Sequence, residues 1–332
     1  MSPASHAKFA EDPKVSVAMI TYNHEKFIGQ AIESVLMQET DFPVEIVIGE
    51  DGSTDGTRGV VQEYAEKHPG RIRVLAHCRN LGMNPNLAAT LAACRGEYIA
   101  LLEGDDYWTD SRKLARQSNF LDTHPDCVNC FHNVTIVSDD PQASTQDYFP
   151  QPDGRILMCA PDLPERISQT EFLKRNVIPT CSVMLRKSSV GILPAWFHEL
   201  SLGDQPLHVL CTEHGLSAYI PEVMGAYRLH GTSAWSGKAA AYRINRTIEM
   251  LVALERHFQD RPQRLVLLET RLNLMKVLAQ AFQQGGQIPE SISTTKAYLR
   301  LSLRHQSFSF RKFRKLVKLE LLSRIPWASK TK

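Results

Sequence analysis

In the N-terminal third of the chain, four short apolar segments alternate with stretches of helical spacing: Val15 to Thr21, Val44 to Gly49, Ile72 to Ala76 and Tyr98 to Leu102. Between them, 25–38 places Phe27, Ile28, Ala31, Ile32, Val35 and Leu36 at helical intervals, and 57–67 and 86–93 are two further predicted helices. A chain written this way folds as an α/β protein, a Rossmann-like mixed sheet with helices on both faces. Three of the four strands stop at a polar cluster: Thr21-Tyr22-Asn23, Glu50-Asp51-Gly52-Ser53 and Glu103-Gly104-Asp105-Asp106. Open α/β sheets bind ligands beyond the carboxyl ends of their strands, so the three clusters are expected to face one crevice.

The last cluster constrains the chemistry most. In Tyr98-Ile-Ala-Leu-Leu-Glu-Gly-Asp-Asp-Tyr107 an apolar strand delivers three carboxylates at its end. Acids this close raise one another's pKa, an arrangement that makes sense when they share a cation. Mg²⁺ or Mn²⁺ fits, because such an ion takes oxygen ligands, and Mg²⁺ in particular uses one or two protein carboxylates while substrate phosphates supply the rest. The plain alternative is a polar turn after a strand.

With 332 residues, 43% hydrophobic and 22% charged, the chain is long enough for one large domain and an appendage. Further elements are expected at 114–121 (helix), 128–137 (strand), near Glu171 (helix), 182–185 (strand) and after Gly203 (helix), with 139–164 as a long loop. Beyond residue 236 the pattern turns helical, over 242–258 and 264–282, before Gly285-Gly286 leads to a basic tail. The boundaries are thus 1–14 as a flexible N-terminus, 15–236 as the main domain and 237–332 as a helical C-terminal region. No apolar run reaches the ~20 residues that span a bilayer, and the first residues lack a signal-peptide core. Seven cysteines, an odd number, fit a reducing compartment. The expected location is cytoplasmic.

Charge is unevenly placed. Residues 296–332 hold eleven Lys or Arg against the single acid Glu320, whereas the first 295 residues hold 27 basic side chains against 35 acids. In the tail, Phe313, Leu316, Val317, Leu319 and Leu321 interleave with Arg311, Lys312, Arg314, Lys315 and Lys318. That pattern suits an amphipathic helix on an anionic membrane surface, which would put the protein peripherally on the inner face of the membrane. It equally suits a solvated basic helix. No nucleic-acid motif accompanies the charge, so nucleic acid is not an expected partner.

Five pieces in order, Val15-Ser-Val-Ala-Met-Ile-Thr-Tyr-Asn23, Glu50-Asp-Gly-Ser-Thr-Asp55, Arg79-Asn-Leu-Gly82, Gly96-Glu-Tyr-Ile-Ala-Leu-Leu-Glu-Gly-Asp-Asp106 and Tyr227-Arg-Leu-His230, resemble the family 2 glycosyltransferases. The likeness covers 15 to about 236. It implies the GT-A (nucleotide-diphospho-sugar transferase) fold, here with a C-terminal helical appendage, and inverting transfer of a sugar from a nucleotide-diphosphate donor, UDP-sugars favoured, to a glycan or lipid-linked acceptor of the cell envelope or a polysaccharide.

The resemblance also implies roles. Thr21, Tyr22, Asn23, Glu50, Asp51 and Asn80 would contact the donor, Tyr22 by stacking and Asp51 by accepting a ring N–H. The family's Asp-x-Asp is Glu103-Gly-Asp105 here, so Asp105 is the first choice for metal, Asp106 the second, and Glu103 the ribose contact. His230 would complete the coordination and Arg228 would serve the diphosphate. Asp204, in Leu202-Gly-Asp-Gln-Pro-Leu-His208, matches the base that takes the acceptor proton; an Asp before a helix is also a good cap. The rival classes are a non-catalytic relative acting as a binding or scaffold protein, against which the intact acids count, and a dinucleotide-dependent dehydrogenase, excluded because no G-x-G-x-x-G follows the first strand. A zinc site at Cys127, Cys130 and their flanking histidines is disfavoured because strand alternation points neighbours to opposite faces.

Overall fold

The structure, a computed structural model, describes residues 12–138, 149–153, 155–160, 162–231, 235, 238–305 and 314. The chain divides into two compact units after Gly237. In the first, β1 (Val15–Thr21), α1 (Ile28–Leu36), β2 (Val44–Glu50), α2 (Thr57–Lys67), β3 (Ile72–Ala76), α3 (Met83–Ala93) and β4 (Tyr98–Glu103) follow the alternation written in the sequence. After them come β5 (Tyr107–Trp108), α4 (Lys113–Thr123), β6 (Cys127–Ser138), the two-residue strands β7 (Phe149–Pro150), β8 (Ile156–Leu157) and β9 (Arg166–Ile167), then α5 (Gln169–Lys174), β10 (Met184–Arg186), α6 (Lys187–Val190), α7 (Asp204–Cys211) and β11 (Leu216–Leu229).

The sheet runs β3-β2-β1-β4-β10-β6-β11-β5. Strands β1 to β4 are mutually parallel where they pair; β10 is antiparallel to β4 and β6, and β6 and β11 are parallel. Both β1 and β4 are buried almost end to end, which explains their nearly unbroken apolar runs: a central parallel strand has both faces covered. Helix α1 turns Ile28, Ala31, Ile32 and Val35 to the core, where each of the two Ile and the Val contributes about 1.5–3 kcal/mol by leaving water and the Ala methyl about 0.8 kcal/mol. Strand order reverses between β1 and β4, so the crevice beyond their carboxyl ends is the expected ligand position.

Local departures have local causes. The helix expected from 25 starts only at Ile28, because residues 23–25 are held by the β2–α2 loop: Asn23 N–H donates to Ser53 Oγ, His24 N–H to Thr57 Oγ1 and Glu25 N–H to Asp55 Oδ2. Asn23 itself adopts φ 56°, a left-handed conformation that Asn tolerates. Strand β10 starts at Met184 rather than 182, since Thr180–Ser182 closes a 3-10 turn with Ser182 N–H donating to Pro179 O. Within the expected loop 139–164, residues 139–148 lie outside the described residues, while β7 and β8 pair and β8 joins β6 at Thr135.

In the second unit α9 (Gln263–Gln284) packs against both α8 (Ala240–His257) and α10 (Ile288–Arg304). The last helix lies inside the helical region expected over 237–332, with a span the sequence pattern does not mark: after the turn at Gly286 the chain enters a helix that buries Leu299, and Ser291 Oγ donates to Ala279 O. The basic segment beyond His305, Arg314 apart, lies outside the described residues. Among the described residues no helix is long and apolar enough to cross a membrane.

Candidate active site

The polar clusters that end β1 and β2 are knotted together. Asn23 Oδ1 accepts Thr54 N–H at 2.8 Å, and buried Glu50 accepts Ser53 N–H and Arg58 Nε–H, both at 2.6 Å. Burial alone would raise the Glu50 pKa, but the bonds from Ser53 and Arg58 outweigh it and hold the carboxyl below its ordinary value. Asp51 reaches across to the β3–α3 loop, where its two oxygens accept Leu81 N–H at 2.7 Å and Gly82 N–H at 3.0 Å. Gly52, with φ 68°, lies so close to Arg79 that a Cβ would meet its carbonyl carbon at 2.5 Å. These contacts fix the loop that carries Asn80, which is exposed. Tyr22 is 39% exposed, so its ring faces solvent rather than the core.

The β4 end presents the acids. Gly104 passes against β1, its N–H donating to Ile20 O, and a Cβ there would meet Thr21 Oγ1 at 2.6 Å and His24 Nδ1 at 3.0 Å. Only a glycine lets the acidic turn lie this close to Thr21, whose buried hydroxyl has no partner. Asp105 Oδ2 is 3.0 Å from His230 Nε2 and 3.7 Å from His24 Nε2. Burial pushes its pKa up, yet the bond to His230 and the charges of both histidines carry it below the usual value. Asp106 Oδ1 accepts Arg228 N–H at 2.8 Å, while Arg228 Nε–H donates to Asp105 O and its Nη2 to Gln30 Oε1. Arg228 also lies over the rings of Phe27 and Tyr107. Strand β11 is thereby stitched to the acidic turn.

Glu103 and Asp106 are held well above the ordinary carboxyl range, first by burial and then by the charges of their acidic neighbours. One of the neighbours acting on Glu103 is Asp204, so α7 brings a fourth carboxylate to the cluster. Asp204 sits in the first turn of α7, where a negative charge meets the helix dipole. It accepts Asn176 Nδ2–H at 2.5 Å. Its pKa is raised by burial, against the lowering effect of the Gln205 amide, its own amide and Asn176.

Among the described residues no three His, Cys, Asp or Glu side chains form a metal cage. The residues nevertheless fit an ion completed by a ligand's phosphates. Adjacent ligands on an octahedral ion with bonds of ~2.1 Å stand about 3.0 Å apart, which is the separation of Asp105 Oδ2 from His230 Nε2. Glu103 Oε2 is buried without a partner, a cost that a bound hydroxyl or cation would remove.

Several residues here carry no recognisable sequence signal. His24, next to Asp105, is held below its usual pKa by burial, partly offset by Asp105; Thr180 lowers the pKa of Glu103, and the Cys181 thiol is pushed well up by burial and by the charges of Asp106 and Glu103. They come from a loop and a 3-10 turn, where no periodicity marks a position. The one available signal was that His24 directly follows the Thr21-Tyr22-Asn23 cluster.

The family described as glycosyl transferase family 2 matches residues 16–191. An uncharacterized protein of Mycobacterium tuberculosis is 37% identical over 222 residues, 67% of this chain and 60% of that protein; the chain thus spans less than two thirds of the mycobacterial relatives it matches. The putative teichuronic acid biosynthesis glycosyltransferase TuaG of Bacillus subtilis is 28% identical over 244 residues, 72% of this chain and 90% of that protein. Among solved structures, S. aureus TarS 1–349 in complex with UDP-GlcNAc is similar with a TM-score of 0.61 at 17% identity, covering 87% of this chain and 81% of that one. The mannosyltransferase PcManGT of Pyrobaculum calidifontis, in complex with GDP-Man and Mn²⁺, gives 0.56 at 17% identity, covering 96% and 82%. Structural likeness at this identity speaks to fold, not chemistry. The family match, which spans more than half of the sequence, decides the kinship: the chain belongs to glycosyl transferase family 2 and has the GT-A fold.

Proposed function

We propose that the protein transfers a sugar from a nucleotide-diphosphate donor, a UDP-sugar by preference, to a hydroxyl acceptor with inversion, in the synthesis of an envelope or polysaccharide glycan. The observation that carries this reading is the gathering of Glu103, the Asp105–His230 pair and Asp204 around one strand end. Tyr22 offers an open ring face for the base, and Thr21 and Asp51 line the same strand ends. Glu103, with its orphaned Oε2, receives a ribose hydroxyl. Asp105 and His230 hold a divalent ion, which when bound neutralises the diphosphate leaving group as a Lewis acid. Asp204 takes the acceptor's proton as that oxygen attacks the anomeric carbon, while the bond from that carbon to the diphosphate breaks on the opposite face.

Support for a nucleotide sugar comes from the ligands of the two structural neighbours, and support for an envelope glycan from the likeness to TuaG, a putative teichuronic acid biosynthesis glycosyltransferase. The basic tail supports peripheral attachment where a lipid-linked acceptor lies. A thermal-shift panel of UDP-, GDP- and dTDP-sugars, each with and without Mn²⁺, tests the donor half. Stabilisation by one nucleotide class that depends on Mn²⁺ is the expected result; no response to any of them would overturn the reading.

A further inference from the structure

Asp204 owes its place to a side chain on another helix. Asn84, the second residue of α3, is 1% exposed, and its Nδ2 lies 2.9 Å from Phe197 O, 2.9 Å from Leu200 O and 3.0 Å from Leu202 O. A carboxamide has two N–H donors, so one of them is shared between two carbonyls, and the single NH₂ group gathers all three carbonyls of the segment that leads into α7. The three carbonyls also fix the amide's orientation, since an oxygen in that position would face three oxygens. Gly203 closes in on the other end: a Cβ on it would meet Asn84 Oδ1 at 2.4 Å. The segment from Phe197 to Gly203 is therefore held by Asn84, and the next residue is Asp204.

The start of α3 is fixed on its other side by the donor-side cluster. The two residues before Met83 are Leu81 and Gly82, whose amides Asp51 accepts. A continuous line of contacts thus runs from Asp51 through the α3 N-terminus and Asn84 to the loop of Asp204.

We propose that Asn84 is a positioning residue for Asp204, setting where that carboxylate stands relative to a donor bound at Asp51. This rests on the reading of Asp204 as the base. Asn84 then acts on turnover only through Asp204, and donor affinity does not depend on it.

The test is a double-mutant cycle in the full chain: Asn84→Ala, Asp204→Asn and both together, with Gly203→Ala as a second way to displace the segment should Asn84→Ala not fold. Three quantities are read: amide hydrogen exchange over 197–204, UDP affinity by calorimetry with Mn²⁺, and release of UDP from UDP-glucose, UDP-galactose and their N-acetylamino counterparts. Asn84→Ala is expected to speed exchange over 197–204, leave UDP affinity within about twofold, and lower turnover by about 10²-fold, the usual cost of a misplacement near 1 Å. In the Asp204→Asn background it is expected to add nothing further. Unchanged exchange over 197–204, a fall in UDP affinity matching that in turnover, or the same fractional loss in both backgrounds would overturn the proposal. Near-normal turnover by Asp204→Asn alone would instead sink the base assignment, which distinguishes the two failures.

Discussion

His230 Nε2 stands 3.0 Å from Asp105 Oδ2 although the two residues are 125 positions apart. The meeting is prepared by the residues on either side. Asp106 accepts the Arg228 amide and Arg228 returns a bond to Asp105 O, so β11 and the acidic turn are in register before either functional group is placed. Phe27 backs the imidazole, with ring centroids 4.7 Å apart. The pair thus stands just past the ends of β4 and β11, two strands tied to each other by these bonds, as a site that must present two ligands to one ion requires.

If that pair holds the ion, His230→Ala lowers Mn²⁺-dependent UDP affinity by about 10–100-fold and leaves the weak metal-free binding of UDP unchanged. Calorimetry of UDP with Mn²⁺ and with EDTA measures both. Full turnover in excess EDTA, with the protein confirmed metal-free, would remove the metal from the mechanism.

Asp204→Asn is expected to bind donor normally and to lose about 10²–10⁴ in the chemical step, the usual worth of a positioned base. The raised pKa of Asp204 has a defined sign in the pH profile. The base works unprotonated, so turnover falls as pH drops through a pKa above the ordinary Asp value, while UDP affinity over the same range stays with its own groups. A profile that is flat down to the ordinary carboxylate range, or a collapse of donor binding in Asp204→Asn, would mark Asp204 as a helix-end acid.

Strands β1, β2 and β4 were legible because their residues obey a single rule: Val15, Val17 and Met19, like Ile46 and Ile48 and like Ile99 to Leu102, are buried in strands covered on both faces. The predicted spans of β1, α2 and β3 coincide with the observed ones. The acids at the strand ends were legible for the same reason, since a carboxylate after a buried strand stands out. Loop partners were not. Asn84 and His24 act through chain segments far away in sequence, Phe197 to Leu202 and the acidic turn, and long-range pairing leaves no period to read. The span of α10 is masked in the sequence because Lys296, Arg300 and Arg304 run through it and two of its three buried residues, Ser291 and Ser302 beside Leu299, are polar.

Lys113 gives a stability test independent of function. It is fully buried, its Nζ has no hydrogen-bond partner, and it sits 3.7 Å from the centre of the Trp108 ring. Burial lowers its pKa from 10.5 to about 7. Between those values the folded state binds fewer protons than the unfolded one, so stability rises with pH through that window and the full cost is present below it. Lys113→Met, which keeps the length without the amine, is expected to stabilise by roughly 2–4 kcal/mol near pH 6 and by much less near pH 10. Equal changes in melting temperature at both values would show that the amine is charged and satisfied in the fold.

The tail supplies the last prediction. Of the eleven basic side chains after Thr295, Lys296, Arg300 and Arg304 lie within α10, which leaves eight in 306–332 against Glu320. Each Lys or Arg near an anionic surface contributes about 1 kcal/mol, attenuated by salt within a Debye length of about 8–10 Å, so several together give reversible attachment. A version ending at His305 keeps α10 whole, whereas one ending at Thr295 would cut it. Co-sedimentation of the full chain and of the His305 version with phosphatidylcholine vesicles, with and without phosphatidylglycerol, at low and high salt, is the measurement. The full chain is expected to sediment with the anionic vesicles at low salt and to be released at high salt, and the shortened chain to stay in solution throughout. Equal binding by both versions, or none by either, would take the tail out of any membrane role and leave a lipid-linked acceptor to be reached by another surface.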